Sequence, residues 1–235
     1  MIKKISISKL KKQFGNNVVL NNINLDIYEQ ESLAIIGESG SGKSVLTKCI
    51  NGLIEFDDGQ IIFENSYDVK QLKRNRILDH ISNFGVLFQN SALFDSLTIE
   101  ENIFFQRKDK DYSILKDVSL DFEILKKMPS DLSAGMQKRV SLARAIVSRP
   151  KILIFDEPTT GLDPIMANQI NLLLRKLVTE KKLTTITITH DMESVYEFAD
   201  KVAFIKNGKI MWYGDVGKIS KSNSVSMKKF IEGLT

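Results

Sequence analysis

Gly37-Glu38-Ser39-Gly40-Ser41-Gly42-Lys43-Ser44 is the stretch from which the architecture of this chain follows. It comes after the apolar run 33–36 and before residues 45–50, which are predicted to form a helix. The stretch fits the pattern G-x-x-x-x-G-K-[ST], which is informative when a strand precedes it and a helix follows it. A glycine-rich turn that fits by chance is the alternative, and the flanking elements argue against it. We therefore predict an α/β domain with a phosphate-binding loop.

The residue types of this loop each suit the binding of a triphosphate. The glycines allow the backbone N–H groups to point inward and form a concave nest. The helix that opens near Lys43 adds its positive N-terminal end, and the Lys43 ammonium supplies a full charge to the β- and γ-phosphates. The Ser44 hydroxyl is suited to bind Mg²⁺. The predicted nucleotide-binding residues of the loop are Gly37, Glu38, Ser39, Gly40, Ser41, Gly42, Lys43, Ser44 and Val45.

Composition sets broad limits on the class of protein. A chain of 235 residues is compatible with one large α/β domain or two small ones. The net charge is +4 with scattered lysines, which supports nucleic-acid binding only weakly and is compatible with a position beside an anionic membrane. Cys49 is the only cysteine, so no disulfide framework is expected. No signal peptide and no apolar run near the ~20 residues of a spanning helix are recognised, so we expect a cytosolic protein that reaches a membrane through a partner.

An antiparallel β region is predicted before the phosphate-binding loop. Residues 5–10 alternate between apolar and polar side chains, and residues 18–20 and 23–27 continue as strands after a turn at residues 16–17. Phe14 lies beside that turn. Its spacing leaves open whether it packs locally or stacks on a base.

Polar residues at the ends of two later strands are candidates for chemistry. The apolar run 152–155 is followed by Asp156 and Glu157, and the β-branched run 184–189 is followed by His190. Ligands bind at the carboxyl edge of open α/β sheets, so the two acids are predicted to serve as metal ligand and base. Two acids at a loop entrance and a structural histidine are the alternatives. The position of His190 at a strand end favours function.

Several further elements place the remaining candidates. Residues 84–89 are predicted as a buried strand with Gln89 at its tip, and Thr98 with Glu101 forms a capping box. Short helical pieces are predicted up to residue 128, and Ser133 is predicted to cap a helix that ends before Pro150. The helix predicted at 165–179 carries Leu172, Leu173 and Leu177 on one side, and a last helix is predicted at 226–234. Asn207-Gly208 predicts a hairpin.

Taken in chain order, these segments resemble the ATP-binding subunit of an ATP-binding-cassette (ABC) transporter. The deciding segment is Leu132-Ser133-Ala134-Gly135-Met136-Gln137, which stands in the place of the family's signature motif. The matching positions are Phe14 as the adenine-stacking aromatic, Gly37 to Ser44 as the phosphate loop, Gln89 as the Q-loop residue, Asp156-Glu157 as the Walker B pair, Gly161-Leu162-Asp163 as the D-loop and His190 as the switch histidine.

The resemblance implies an α/β fold with a P-loop NTPase core sheet, an N-terminal antiparallel β region and a small α-helical subdomain. One nucleotide-binding domain would span residues 1–235. Its RecA-like core and β region would take up 1–103 and 132–235. A helical insertion at about 104–131 would lead into the signature helix 133–148.

The resemblance also implies how the site works. Two copies would pack head to tail around ATP and Mg²⁺. The residues it implies are Glu157, His190 and Lys43 for catalysis, Ser44, Gln89 and Asp156 for Mg²⁺, and Phe14, Gln89, Ser133, Ala134, Gly135 and Asp163 for the nucleotide, in addition to the phosphate loop. Backbone N–H groups at the start of the Ser133 helix would face the γ-phosphate from the partner copy. An integral-membrane permease dimer would hold the protein at the cytoplasmic face of the inner membrane, and no nucleic-acid partner is expected.

Two features depart from the family pattern. Ala134 stands where the signature usually has its first glycine, which adds a methyl group where backbone approaches phosphate, and Met136 replaces the usual glutamine. The insertion before Asp131 is short for the family. Since Ser133 and Gly135 remain, we expect a working site with slower turnover.

The transported substrate has competing interpretations. Residues 87–98 and 128–136 resemble the ATPase of Mla/MCE-type phospholipid transporters, which implies a lipid substrate and an MCE-domain partner. The alternative is the ATPase of an importer for amino acids or other small polar solutes. A soluble, non-transport cassette ATPase is less favoured because neither a long coiled-coil insertion nor a tandem cassette is present, and a P-loop kinase or GTPase would leave the signature segment unexplained. In a transporter, the segment after Gln89, with Phe94 and Leu97, is predicted to contact the permease.

Overall fold

The computed structural model describes residues 2–105, 107–221 and 224–231; for Arg74 and Val225 it describes only the backbone. Residues 232–234 of the predicted last helix lie outside the described residues. The strands are β1 (Lys3–Phe14), β2 (Asn17–Tyr28), β3 (Ser32–Ile36), β4 (Asp58–Phe63), β5 (Tyr67–Asp68), β6 (Phe84–Leu87), β7 (Ile152–Asp156), β8 (Thr184–Ile188), β9 (Lys201–Lys206) and β10 (Lys209–Asp215). The helices are α1 (Lys43–Ile50), α2 (Arg74–Ile81), α3 (Ile99–Ile103), α4 (Ile114–Asp117), α5 (Ala134–Ile146), α6 (Pro164–Lys181), α7 (Met192–Phe198) and α8 (Val225–Ile231).

Two sheets make up the β structure, as the sequence predicts. The first is antiparallel, with strand order β2-β1-β4-β5, and contains the N-terminal β region. The second has the order β10-β9-β3-β8-β7-β6. In it, β3 runs parallel to β8 and β9, and β7 runs parallel to β8 and β6, while the predicted hairpin adds β10 antiparallel to β9. The carboxyl ends of five parallel strands therefore share one edge.

The central strands form because their side chains are apolar or β-branched and are covered on both faces. Every residue of β3 and of β8 is buried. One face of this sheet packs with α1 and the antiparallel sheet. Residues of α7 and α8 form a separate cluster with residues of β3 and β9. Burying each large aliphatic side chain contributes about 1.5–3 kcal/mol. The register places Asp156 of β7 opposite Ile188 of β8, two residues before His190.

A helical region follows residue 98. The Thr98 hydroxyl accepts a hydrogen bond from the Glu101 N–H, and the Glu101 side chain accepts one from the Thr98 N–H, so the predicted capping box is confirmed. From there to residue 131 the chain forms α3, α4 and two 3₁₀ turns, Phe122–Lys126 and Pro129–Asp131. Ser133 caps α5 through the Met136 N–H, as predicted. The helix ends at Ile146, short of residue 148, since Arg149 adopts a left-handed φ of 51° before Pro150.

Two details differ from expectation. Leu172 is 51% exposed, although it was predicted to share one side of α6 with Leu173 and Leu177. The buried positions are Ile170, Leu173, Leu174 and Leu177, which follow the helical spacing of three and four residues, and Leu172 falls outside that stripe. Gln89 lies two residues beyond the end of β6, in a turn, and so is not part of the strand. None of the described helices combines the length and the apolar character needed to cross a bilayer.

Candidate active site

A cavity of about 740 Å³ opens at the shared carboxyl edge of the parallel strands. It collects residues that are far apart in the chain, because the segments after β3, β6, β7 and β8 all leave the sheet there. The residues that line it are Val19, Gly37, Glu38, Ser39, Gly40, Gly42, Lys43, Ser44, Val45, Gln89, Asp156, Glu157, Ile188, His190 and Phe230. Most of the site residues that the sequence predicts therefore line this one cavity.

Close packing explains two of the loop glycines. A Cβ atom on Gly37 would lie 2.2 Å from the carbonyl oxygen of Ile205, and one on Gly42 would lie 2.9 Å from that of Val19. Both glycines also have positive φ, 152° and 106°, which side chains disfavour. The phosphate loop is therefore pressed between β9 and β2, and any larger residue at these positions would displace it.

Lys43 is held inside the loop. Its Nζ donates hydrogen bonds to the carbonyl oxygens of Gly37 at 2.7 Å and Glu38 at 2.9 Å. Burial lowers the pKa of Lys43, while the nearby charges of Glu157 and Asp156 oppose that change. The Ser41 hydroxyl is buried and has no hydrogen-bond partner among the described residues. A loop with a partly desolvated ammonium and an unsatisfied hydroxyl is suited to a polar anion.

The two acids at the end of β7 have different surroundings. Burial raises the pKa of Asp156, as does the neighbouring Glu157, whereas the cations Lys48, Lys43 and Lys138 oppose the rise. Glu157 has a left-handed φ of 49°, and its carboxylate accepts a hydrogen bond from the Thr160 hydroxyl at 3.1 Å. A non-glycine residue in this region is held there by its surroundings, a form of strain typical of functional sites.

His190 reaches the same carboxylate. Its Nδ1 lies 3.0 Å from Oε1 and 2.9 Å from Oε2 of Glu157, and its side chain remains 66% exposed. With Glu157 ionised, this contact requires the hydrogen on Nδ1, since a carboxylate only accepts hydrogen bonds. This contact leaves the exposed edge of the imidazole free to face a molecule in the cavity.

The cavity offers oxygen donors suited to Mg²⁺. Ser44, Gln89 and Asp156 contribute a hydroxyl, an amide and a carboxylate to its wall. In the described part of the chain, no group of three or more His, Cys, Asp or Glu residues could hold a metal. Mg²⁺ is characteristically bound by one or two carboxylates together with phosphate oxygens and water, so this sparse set fits it.

Other predicted residues do not line the cavity. Phe14 is 49% exposed at the end of β1, with the Lys12 ammonium 5.0 Å from its ring centroid. Ser133 and Asp163 cap α5 and α6, Ala134 opens α5, and Gly135 lies against Met166 of α6. The adenine contact of Phe14 stays a prediction. The nucleotide contacts of Ser133, Ala134, Gly135 and Asp163 stay predictions that require a second copy.

Sequence reasoning missed four contributors to this region. Val19 and Ile188 are strand residues, and no pattern marked either as a cavity residue. Lys206 forms an ion pair with Glu38 at 2.8 Å and so anchors the loop to β9. Phe230 of α8 packs on Phe204 with ring centroids 5.2 Å apart, which brings the C-terminal helix to the cavity.

Comparison with known proteins supplies the family. The family model described as ABC transporter matches residues 20–160. The chain belongs to the ABC transporter family. This ABC transporter subunit is 37% identical to the methionine import ATP-binding protein MetN of Clostridium tetani, over 97% of the chain and 74% of that protein. It is 36% identical to the arginine transport ATP-binding protein ArtM of Bacillus subtilis, over 90% of the chain and 91% of that protein.

Solved structures of similar cassettes confirm the predicted fold of this ABC subunit. The structure of cbiO1 from Clostridium perfringens, part of an ABC transporter complex, matches with a TM-score of 0.85 at 28% identity, covering 98% of this chain and 96% of that one. The ATP-binding cassette MJ0796, solved as a dimer with ADP and Pi, matches with a TM-score of 0.79 at 27% identity, covering 90% and 98%. The chain is thus an ATP-binding cassette subunit that hydrolyses ATP to power transport.

Proposed function

We propose that this chain is the ATPase subunit of an importer for amino acids or another small polar solute. The observation that carries the proposal is the similarity to MetN and ArtM, at 37% and 36% identity over nearly the whole chain. These relatives favour the importer over the phospholipid transporter that was the first interpretation of the sequence.

The roles proposed for the residues follow from the cavity. The phosphate loop and Lys43 bind the β- and γ-phosphates through backbone N–H groups and one ammonium. Glu157 accepts the proton of the attacking water, and His190, bonded to the same carboxylate, holds that water and the γ-phosphate in register. Ser44, Asp156 and Gln89 hold Mg²⁺, which neutralises charge on the phosphates when bound. The strained backbone of Glu157 and its hydrogen bonds to Thr160 and His190 support its role as base.

A second copy completes the proposed site. MJ0796 is a dimer in its solved structures. In the proposed dimer, Phe14 stacks on the adenine, while Ser133, Ala134, Gly135 and Asp163 of one copy face the nucleotide held by the other. Ser133 already caps a 13-residue helix whose positive end suits a phosphate.

A permease dimer is the proposed membrane partner, which would place the chain at the cytoplasmic face of the inner membrane. Phe94 and Phe105 stack at 4.7 Å and remain 43% and 42% exposed beside the Gln89 loop. The Arg144 guanidinium lies 5.7 Å from the Phe94 ring. An exposed aromatic pair beside a cation is suited to a partner helix.

Phospholipid transport with an MCE-domain partner is the second candidate. The observation that favours it is the resemblance of residues 87–98 and 128–136 to Mla/MCE-type ATPases. The two candidates share one ATPase chemistry and differ in the partner and the transported molecule.

Two experiments test these proposals. Glu157→Gln is expected to lower phosphate release about 100-fold or more and to accumulate an ATP-bound dimer by gel filtration, while the exposed control Glu180→Gln retains activity. Wild-type turnover by Glu157→Gln contradicts the role of the base. The complex purified with its membrane partner is then assayed with a periplasmic solute-binding protein and methionine or arginine, and separately with an MCE-domain protein and phospholipid. Stimulation only in the second assay overturns the importer and supports the lipid candidate.

A further inference from the structure

One face of α5 holds the loop that carries Gln89. Lys138, Ser141 and Arg144 recur every three residues, so they share a side of the helix. The side chain of each donates to backbone carbonyl oxygens within residues 88–92.

The contacts form a continuous series along the loop. The Lys138 ammonium donates to the carbonyls of Phe88 and Gln89. The Ser141 hydroxyl donates to the Ser91 carbonyl at 2.7 Å. The Arg144 guanidinium donates to the Ser91 carbonyl at 3.0 Å and the Ala92 carbonyl at 2.8 Å. These side chains therefore satisfy carbonyl groups that a strand or helix would otherwise pair.

The loop needs such support because its backbone is unfavourable. Ser91 and Ala92 both have left-handed φ values, 58° and 47°. Consecutive non-glycine residues in this region cost free energy and persist only where surrounding contacts fix them. Within the loop, the Ser91 N–H donates to the Phe88 carbonyl and the Ala92 N–H to the Asn90 carbonyl, and the donors of α5 add their contacts to these.

Lys138 is an unusual residue for a purely structural contact. Its ammonium is buried, with the residue 4% exposed, and the acceptors given for it among the described residues are the backbone carbonyls of Phe88 and Gln89. Burial lowers the pKa of Lys138, whereas the charges of Asp156 and Glu157 oppose that change. A buried cation is expensive unless its surroundings compensate it. This ammonium donates to the Gln89 carbonyl and is also stabilised by the charges of Asp156 and Glu157.

We propose that Lys138 is a positioning residue that fixes Gln89 opposite Asp156 and Glu157, and that Ser141 and Arg144 extend this clamp by holding the rest of the Gln89 loop against α5. The inference rests on the proposed function, in which Gln89 is a ligand of Mg²⁺.

The test uses the full chain with Lys138→Met, Lys138→Arg and the exposed control Lys176→Met. We expect Lys138→Met to lower kcat by roughly 10- to 100-fold, with the KM for ATP changed by no more than about twofold and a higher Mg²⁺ concentration needed for half-maximal rate. Lys138→Arg keeps the charge and the donors and should restore most of the activity. Hydrogen exchange at residues 91–92 should be faster in Lys138→Met, and the control should match the wild type in all measurements.

Two outcomes overturn the inference. Wild-type kcat and Mg²⁺ dependence in Lys138→Met show that the ammonium does not position Gln89. If Lys138→Met does not fold, Ser141→Ala replaces it, because it removes a single hydrogen bond from the clamp. Unchanged exchange at residues 91–92 and unchanged Mg²⁺ dependence in that protein also reject the clamp. Failure of the proposed function appears separately, as hydrolysis that persists in Glu157→Gln.

Discussion

His190 Nδ1 lies 2.9 Å from Oε2 of Glu157, and this contact links the ends of two neighbouring parallel strands, β7 and β8. The two residues are 33 positions apart in the chain. Thr160 donates to the same carboxylate, so Glu157 is held from two sides while it faces the cavity. The proposed base and the proposed γ-phosphate contact therefore orient each other.

The His190–Glu157 contact leads to a prediction for catalysis. His190→Ala should lower kcat about 100-fold, since it removes both the proposed γ-phosphate contact and the side chain that is hydrogen-bonded to Glu157. His190→Gln keeps a donor near the carboxylate and should retain more activity. Phosphate release at saturating ATP measures both. Equal turnover by His190→Ala and the wild type would show that the contact has no part in hydrolysis.

Asp156 links function to stability. The pKa of Asp156 in the folded chain is raised by burial above its ordinary 3.8, so the folded state binds the proton more tightly than the unfolded state does. The free energy of unfolding therefore falls as the pH rises through that folded pKa. At neutral pH the ionised Asp156 carboxylate thus destabilises the folded state.

Replacing Asp156 with a neutral residue should raise stability and lower ATPase activity. Asp156→Asn is expected to raise Tm at pH 7.5, to lose that advantage as the pH falls below 3.8, and to lower Mg²⁺-dependent ATPase activity about 100-fold. Thermal unfolding across the pH range and phosphate release provide the measurements. A lower Tm at pH 7.5 would mean that the attraction to Lys43, Lys48 and Lys138 outweighs burial.

The position of Phe230 in the cavity wall indicates that α8 contributes to nucleotide affinity. Its ring lines the cavity and rests on Phe204, and the single tryptophan, Trp212, packs in the same apolar cluster. Phe230→Ala should weaken ATP binding about 3- to 10-fold, the loss expected from one aromatic contact of about 1 kcal/mol. Phe122→Ala, at a 62% exposed aromatic, serves as the control. Titration of Trp212 fluorescence with ATP measures the affinity of both variants. Unchanged affinity in Phe230→Ala would show that α8 does not contribute to the site.

Cys49 should be inert in the folded protein. Burial raises the pKa of the Cys49 thiol from 9.0 to about 11, and the residue is fully buried on α1. Because the thiolate is the reactive species, the rate with a thiol reagent at pH 8 should be about 100-fold or more below that of the denatured chain. Absorbance of the released thiol dye follows both rates. Fast modification of the native protein would mean that α1 opens readily.

Several parts of the protein depend on local chemistry and could be predicted from the sequence. The phosphate loop, the acids at the end of β7, the capping box at Thr98, the Ser133 cap and the hairpin at Asn207-Gly208 are all set by residue types at fixed short spacings, and so the ABC fold was predictable. The same spacings misplaced Leu172, because its burial depends on where α6 meets its neighbours.

The contacts between distant segments could not be predicted in this way. The contact of His190 with Glu157, the Lys206–Glu38 ion pair, the position of Phe230 and the hold of α5 on the Gln89 loop all join residues that are at least 26 positions apart. Such contacts follow from strand order and register in the sheet, which are set by the packing of whole elements. No short stretch of sequence contains that information.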